Sequence, residues 1–109
     1  MLVKTKGSAI VGIDAVTITI EVNVSMGQGY CIVGLPDNAV KESLDRTESA
    51  IKSNGFHMPR TKLVINLSPA DLKKSGAAFD LPIAIGILVA SGQLPADSIV
   101  GFEFYGELA

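Results

Sequence analysis

Val16-Thr17-Ile18-Thr19-Ile20-Glu21-Val22-Asn23-Val24 alternates apolar and polar residues without a break. A period of two puts Val16, Ile18, Ile20, Val22 and Val24 on one face of a strand, because successive Cβ atoms point to opposite sides. Upstream, Ser8 to Ile13 reads as a shorter apolar strand, with Gly12-Ile13-Asp14-Ala15 as the hairpin turn. Downstream, Met26-Gly27-Gln28-Gly29 reads as a second turn and Tyr30 to Leu35 as a third strand. Three strands in succession joined by short turns predict an antiparallel meander.

The period then becomes helical. Pro36 fits a helix's first turn, where its missing N–H costs nothing, and Asp37 suits the positive end of the dipole. Val40, Leu44, Thr47 and Ile51 follow at spacings of four, three and four, so one face is built to lie on a sheet. Glu42 with Arg46, and Glu48 with Lys52, read as solvated i,i+4 pairs contributing only about 0.3–0.5 kcal/mol each. Asn54-Gly55 closes the helix, since a left-handed residue at its end is easiest as Gly. Lys62 to Leu67 returns to alternation as a fourth strand, with Leu63, Ile65 and Leu67 on one face. Ser68-Pro69-Ala70-Asp71 has the form of a helix start, predicting one short helical turn through about Lys73 with Ser68 as its cap rather than a nucleophile.

Asp80 is placed to cap a further helix whose body, Leu81 to Ala90, has no polar face and must be buried on more than one side. Its apolar run of about ten residues is half of what a bilayer span requires, so no membrane partner is expected. Gly86 marks a close approach to a neighbouring element, and Phe102 to Leu108 is a candidate last strand. The pattern amounts to an α+β fold in the order βββαβα, with a final strand optional.

Composition narrows the function. In 109 residues, 48% hydrophobic and 18% charged, there is room for one packed domain and no sign of a disordered tail. Nine Lys and Arg against eleven Asp and Glu give a net charge of −2, which offers this segment no electrostatic grip on nucleic acid. No secretory signal follows Met1, so the cytoplasm is the default compartment. Cys31, flanked by Tyr30, Ile32 and Val33, reads as an inert thiol buried in a strand, and His57 as a loop residue. No second His or Cys stands at metal-ligand spacing, and Asp71 and Asp80 are accounted for as helix-start residues, so no metal site is expected. Gly27-Gln28-Gly29 lacks the rest of a dinucleotide fingerprint, and no phosphate-loop motif occurs. Lys73-Lys74-Ser75-Gly76 is at best a weak anion loop, because Asp80 at the following helix start repels anions.

Several blocks together carry a family resemblance: Ile32-Val33-Gly34-Leu35-Pro36-Asp37, Val40-Lys41-Glu42-Ser43, Asn66-Leu67-Ser68-Pro69-Ala70-Asp71-Leu72 with Lys74 and Gly76, and Asp80-Leu81-Pro82-Ile83-Ala84-Ile85-Gly86. From Gly12-Ile13 to Gly106-Glu107-Leu108 the chain resembles the amino-terminal domain of the ComM (YifB) family, labelled magnesium chelatase-like. The resemblance implies the two-layer sandwich of the Lon protease domain, the GHMP kinases and the second domain of ribosomal protein S5, with a left-handed βαβ crossover against the usual preference. In Lon-type proteases a Ser nucleophile opens the corresponding buried helix. The similar segment here, Lys74-Ser75-Gly76-Ala77-Ala78-Phe79-Asp80, places Ala78 at that position, and a side chain without a hydroxyl cannot begin acyl transfer.

The resemblance also implies that residues 1–109 are the single amino-terminal domain of a longer chain, excised ahead of an AAA+ motor. That motor would bind ATP and Mg, assemble with neighbouring subunits as a hexamer, and act on DNA in branch migration during natural transformation. On this reading the segment itself holds no catalytic residue, cofactor or metal, and organises the ring or contacts DNA or partner proteins. Two other readings stand beside it. One is a metal- or macrocycle-recognition domain of a chelatase; the other is a degenerate Lon-like cleft near Lys73, Lys74, Ser75 and Asp80 that holds a peptide or nucleic acid without cutting it.

Overall fold

Gly12, at φ 63°, turns the chain with Ile13 between β1 (Leu2–Val11) and β2 (Asp14–Ser25). The hairpin is antiparallel from Leu2 opposite Asn23 to Val11 opposite Asp14, so β1 begins well before the expected Ser8. Its amino-terminal half hides its period because Thr5 and Gly7 follow Val3 on the inward side. Thr5 is 3% exposed, and its hydroxyl is satisfied by the Pro82 carbonyl at 2.9 Å. The computed structural model describes Met1 to Leu108.

The expected meander does not form. β3 (Tyr30–Val33) runs parallel to β4 (Lys62–Ser68), β4 runs antiparallel to β2, and the sheet order is β1-β2-β4-β3. Burial explains the arrangement. Leu63, Ile65 and Leu67 are fully buried while Tyr30, Cys31 and Val33 are exposed, so the more apolar strand takes the centre and β3 the edge. Cys31 is therefore an exposed edge residue, not a buried one. The parallel pair requires a crossover, supplied by α1 (Asn38–Lys41) and α2 (Ser43–Ser53).

Asp37 caps α1 directly, its Oδ1 accepting from Val40 N–H at 2.8 Å, and Pro36 lies outside the helix. Val40, Thr47 and Ile51 are buried as the spacing predicts, and Gly55 adopts φ 82° just past the helix end. α3 (Asp80–Ala90) lies across β1 and β2, with α2 beside it, forming the second layer. Gly86 is where the helix comes closest to the sheet: a Cβ there would stand 2.6 Å from Cγ2 of Val22. Val22, Ile18, Ile20, Ile65, Ile83 and Ile87 fill the space between the layers, each fully buried.

Two expected elements are absent from the described residues. Ser68 closes β4 through a cis bond to Pro69, and residues 69–72 make a turn with Leu72 N–H on Pro69 C=O at 3.3 Å rather than a helix. Lys74 then bridges to Pro36 just past the end of β3, so the connection is held by that bridge rather than by helical hydrogen bonds. The segment 102–108 pairs as a strand with nothing: Phe104 N–H donates to Lys6 C=O at 2.8 Å, then the chain leaves the sheet, and Gly106 bonds to Ala78 and Leu81 on the helical layer. A 3₁₀ helix (Ala96–Ile99) precedes it. No helix among the described residues is long and apolar enough to cross a membrane.

Candidate functional site

The parallel strands β3 and β4 end side by side, and the loops that leave them meet there, the usual place for a site in a sheet with parallel strands. Gly34 opens the first loop at φ 106°, and a Cβ on it would lie 2.1 Å from the Leu67 carbonyl oxygen, so only glycine fits. Leu35 follows at φ 56°, a left-handed conformation that disfavours a branched-chain residue and is held by what comes next. Lys74 N–H donates to Leu35 C=O at 2.9 Å and Asp37 N–H to Lys74 C=O at 2.9 Å, a short parallel bridge across the two loops. Asp37 Oδ2 also accepts from Gly76 N–H at 3.2 Å, so one carboxylate caps α1 and tethers the second loop.

Lys74 is fully buried beneath this bridge. Its Nζ donates to the Gly34 carbonyl at 2.7 Å and to the Pro69 carbonyl, one acceptor from each loop. Burial lowers its pKa from the ordinary lysine value, with Asp71 opposing the shift weakly. Among the described residues no carboxylate pairs with it.

Asp80 stands at the far end of the same loop and is not the helix cap that its position suggests. Its side chain makes no cap hydrogen bond and turns instead toward α2. Oδ1 accepts from Ser43 Oγ at 2.6 Å and Arg46 Nη2 at 2.9 Å, and Oδ2 from Arg46 Nε at 2.6 Å and Leu108 N–H at 3.1 Å. Burial alone would raise the carboxyl's pKa, but the hydrogen bonds from Arg46, Ser43 and Leu108 and the Arg46 charge together hold it below the ordinary aspartate value. The hydrogen bond to Asp80 in turn raises Arg46, whose Nη2 also reaches the Ala39 carbonyl at 2.7 Å. Glu42, the partner expected from spacing, is 3.9 Å away and secondary.

Of the residues singled out from sequence, Lys73, Ser75 and Ala78 lie exposed along the loop, while Lys74 and Asp80 are buried with separate partners. Lys74 joins loop to loop, and Asp80 joins α3 to α2 and to the segment 106–108. Sequence reasoning missed Ser43, Arg46 and the structural duty of Asp37. Ser43 carried a usable signal: it sits three residues from Val40 and four from Thr47, on the stripe that faces the core, and a buried hydroxyl needs a partner. Arg46 carried none, because Glu42 satisfies the helical spacing rule equally well. His57 is an exposed loop residue whose backbone is held by the Gln93 amide. Among the described residues no three His, Cys, Asp or Glu side chains come together as a metal-binding group.

Comparison with known proteins places these loops in a family. A family model described as subunit ChlI of Mg-chelatase matches residues 20–109. Competence protein ComM of Haemophilus influenzae is 51% identical over 102 residues, covering 93% of this chain and 20% of that protein. Uncharacterized protein YifB of Salmonella typhimurium is 50% identical over the same length and coverage, and an uncharacterized protein of Mycobacterium bovis is 35% identical. The chain thus spans about one fifth of the length of the curated relatives it matches.

Proposed function

The chain belongs to the family of the magnesium-chelatase ChlI subunit, with relatives named ComM and YifB, and from that membership we propose that it is the non-catalytic amino-terminal module of a magnesium chelatase-like AAA+ ATPase. In this reading the motor lies in the part of the relatives that this chain does not span, and binds ATP and Mg there. The module organises a hexameric ring, or contacts DNA or partner proteins, in ATP-driven branch migration in the cytoplasm. The name of the Haemophilus relative, a competence protein, favours DNA over a metal or a macrocycle as the substrate of the assembly. The fold it proposes is that of the Lon and ribosomal protein S5 group, with a left-handed crossover through α1 and α2.

One observation carries the non-catalytic part. In the loop that leads into α3 and at that helix's first residue, the only buried amine and the only buried carboxylate among the described residues are each tied to structural partners: Lys74 to two backbone carbonyls, Asp80 to Arg46, Ser43 and a backbone amide. A Ser-Lys protease needs its lysine free to take a proton from a hydroxyl within hydrogen-bond reach, and the residue at the expected nucleophile position is Ala78. The groups that could do chemistry are serving as braces.

The test is to compare the 109-residue chain with a full-length relative in ATP hydrolysis, peptide cleavage and migration of a branched DNA. The chain alone is expected to be inactive in all three assays, and a relative lacking the matching segment to lose ring assembly or DNA processing while keeping ATP binding. Hydrolysis of ATP or peptide by the chain alone would falsify the proposal.

A further inference from the structure

Residues 69–76 leave β4 and pass beside the loop that leaves β3, with little to hold them there. Among the described residues, every hydrogen bond from this segment to the rest of the chain ends on Gly34, Leu35 or Asp37. Lys74 N–H donates to Leu35 C=O and Asp37 N–H to Lys74 C=O, Gly76 N–H donates to the Asp37 carboxylate, and Lys74 Nζ donates to Gly34 C=O. Beyond Gly76 the chain is fixed again on the helical layer, where Ala77 C=O accepts from Asp80 N–H at 3.1 Å and Ala78 C=O from Gly106 N–H at 3.2 Å.

Packing adds little to these bonds. From Pro69 to Gly76 the only buried residue is Lys74, and Leu72 is half-buried. The segment is thus anchored by a lysine, one of the residue types least often buried. That choice sets how easily the anchor lets go. A buried aliphatic side chain loses its transfer free energy when it leaves the core. An ammonium held by carbonyls exchanges each bond for one to water, and its charge is better solvated outside.

Leu35 pulls in the same direction. Its φ of 56° is a left-handed conformation, held by the bond from Lys74 N–H to its carbonyl and relieved once that bond opens. Two separate costs, a strained backbone and an uncancelled charge, therefore meet at one junction of a few hydrogen bonds. Low opening free energy belongs to segments with few apolar contacts and exposed hydrogen bonds. We propose that residues 69–76 are a releasable strap, latched by Lys74, that opens over the ends of β3 and β4 as one unit while the sheet and the Asp80 cluster stay intact. Opening brings the Lys74 amine and the N–H groups of Asp37 and Lys74 into water where the two parallel strands end.

The test is native-state hydrogen exchange on the isotope-labelled 109-residue chain, which reads the strap independently of any motor or DNA activity. The amides of Asp37, Lys74 and Gly76 are expected to share one degree of protection, at least about a hundred-fold below the central amides of β2, and to show no urea dependence before the unfolding transition. Lys74→Met should bring the Asp37 and Gly76 amides to within about ten-fold of an unstructured peptide while the β2 amides stay protected. Leu35→Gly should move the same amides the other way, by about three-fold, because relief of the left-handed strain exceeds the entropy that glycine adds. Bridge amides that exchange only together with those of β2, a Lys74→Met chain that unfolds throughout, or no gain of protection in Leu35→Gly would each overturn the proposal.

Discussion

Lys74 and Asp80 stand at the two ends of one loop, both without solvent exposure, and their charges are handled in opposite ways. Asp80 is neutralised by Arg46 and has each oxygen filled by hydrogen bonds, the condition under which a buried carboxylate is tolerated. Lys74 meets only carbonyl dipoles, which satisfy its donors but leave its charge uncancelled. The first arrangement fastens two helices and the segment 106–108 together. The second fastens two loops, at a standing electrostatic cost. The contrast teaches that a buried charge can serve as a brace in either setting, but that its pH response falls in the acid range for the paired carboxylate and in the alkaline range for the unpaired amine.

The largest effect is expected on the Asp80 side. Arg46→Ala leaves a fully buried carboxylate with no cation, a change that costs about 3–5 kcal/mol and should appear as a large drop in the urea midpoint. Removing both partners, Arg46→Met with Asp80→Leu, should recover much of that loss; if the double variant is worse than the single, the pair is not the brace described. On the Lys74 side, Lys74→Met removes the uncancelled charge but strands the Gly34 and Pro69 carbonyls, for a smaller net loss of about 1–3 kcal/mol. A Lys74→Met chain as damaged as Arg46→Ala would erase the distinction between the two regions.

The pH responses sharpen it further. Asp80 titrates below the ordinary aspartate value in the folded chain, so the unfolded state takes up the proton first. Its stabilisation is complete above about pH 4 and is lost as pH falls through the folded value. Lys74 is depressed in the folded chain, so between that value and about pH 10.4 the unfolded state binds the extra proton and stability rises with pH. Urea midpoints across pH should show an acid limb that flattens in Asp80→Asn and an alkaline gain that disappears in Lys74→Met. Smallest of all, Ser43→Ala removes one hydrogen bond to the carboxylate, an expected loss of about 1–2 kcal/mol, with the acid limb moved toward higher pH.

Much of the framework was legible. The alternation through Val16–Val24 and in Leu63, Ile65 and Leu67, the stripe at Val40, Thr47 and Ile51, and the apolar run after Asp80 all correspond to elements with the expected faces buried. Gly55 and Gly86 also have the local roles their positions suggest. The site was less legible. Asp80 looked like a cap because helix-start chemistry is local and its true partners are 34 and 37 residues away in sequence. Lys74 looked like part of an anion loop or cleft because nothing in its neighbours announces the two carbonyls that hold it. Cys31 looked buried because its neighbours are apolar, yet β3 lies at an edge.

Sequence alone determined the main strands and helices, which face of each is apolar, and the roles of Gly55 and Gly86, since these follow from periodicity and backbone sterics within a few residues. Tertiary structure alone decided that β4 enters between β2 and β3, that Arg46 abandons Glu42 for Asp80, and that a lysine spends its charge inside a loop junction. Those outcomes depend on which surfaces compete for burial and which polar groups are then stripped of water. Both become defined only when distant parts of the chain meet.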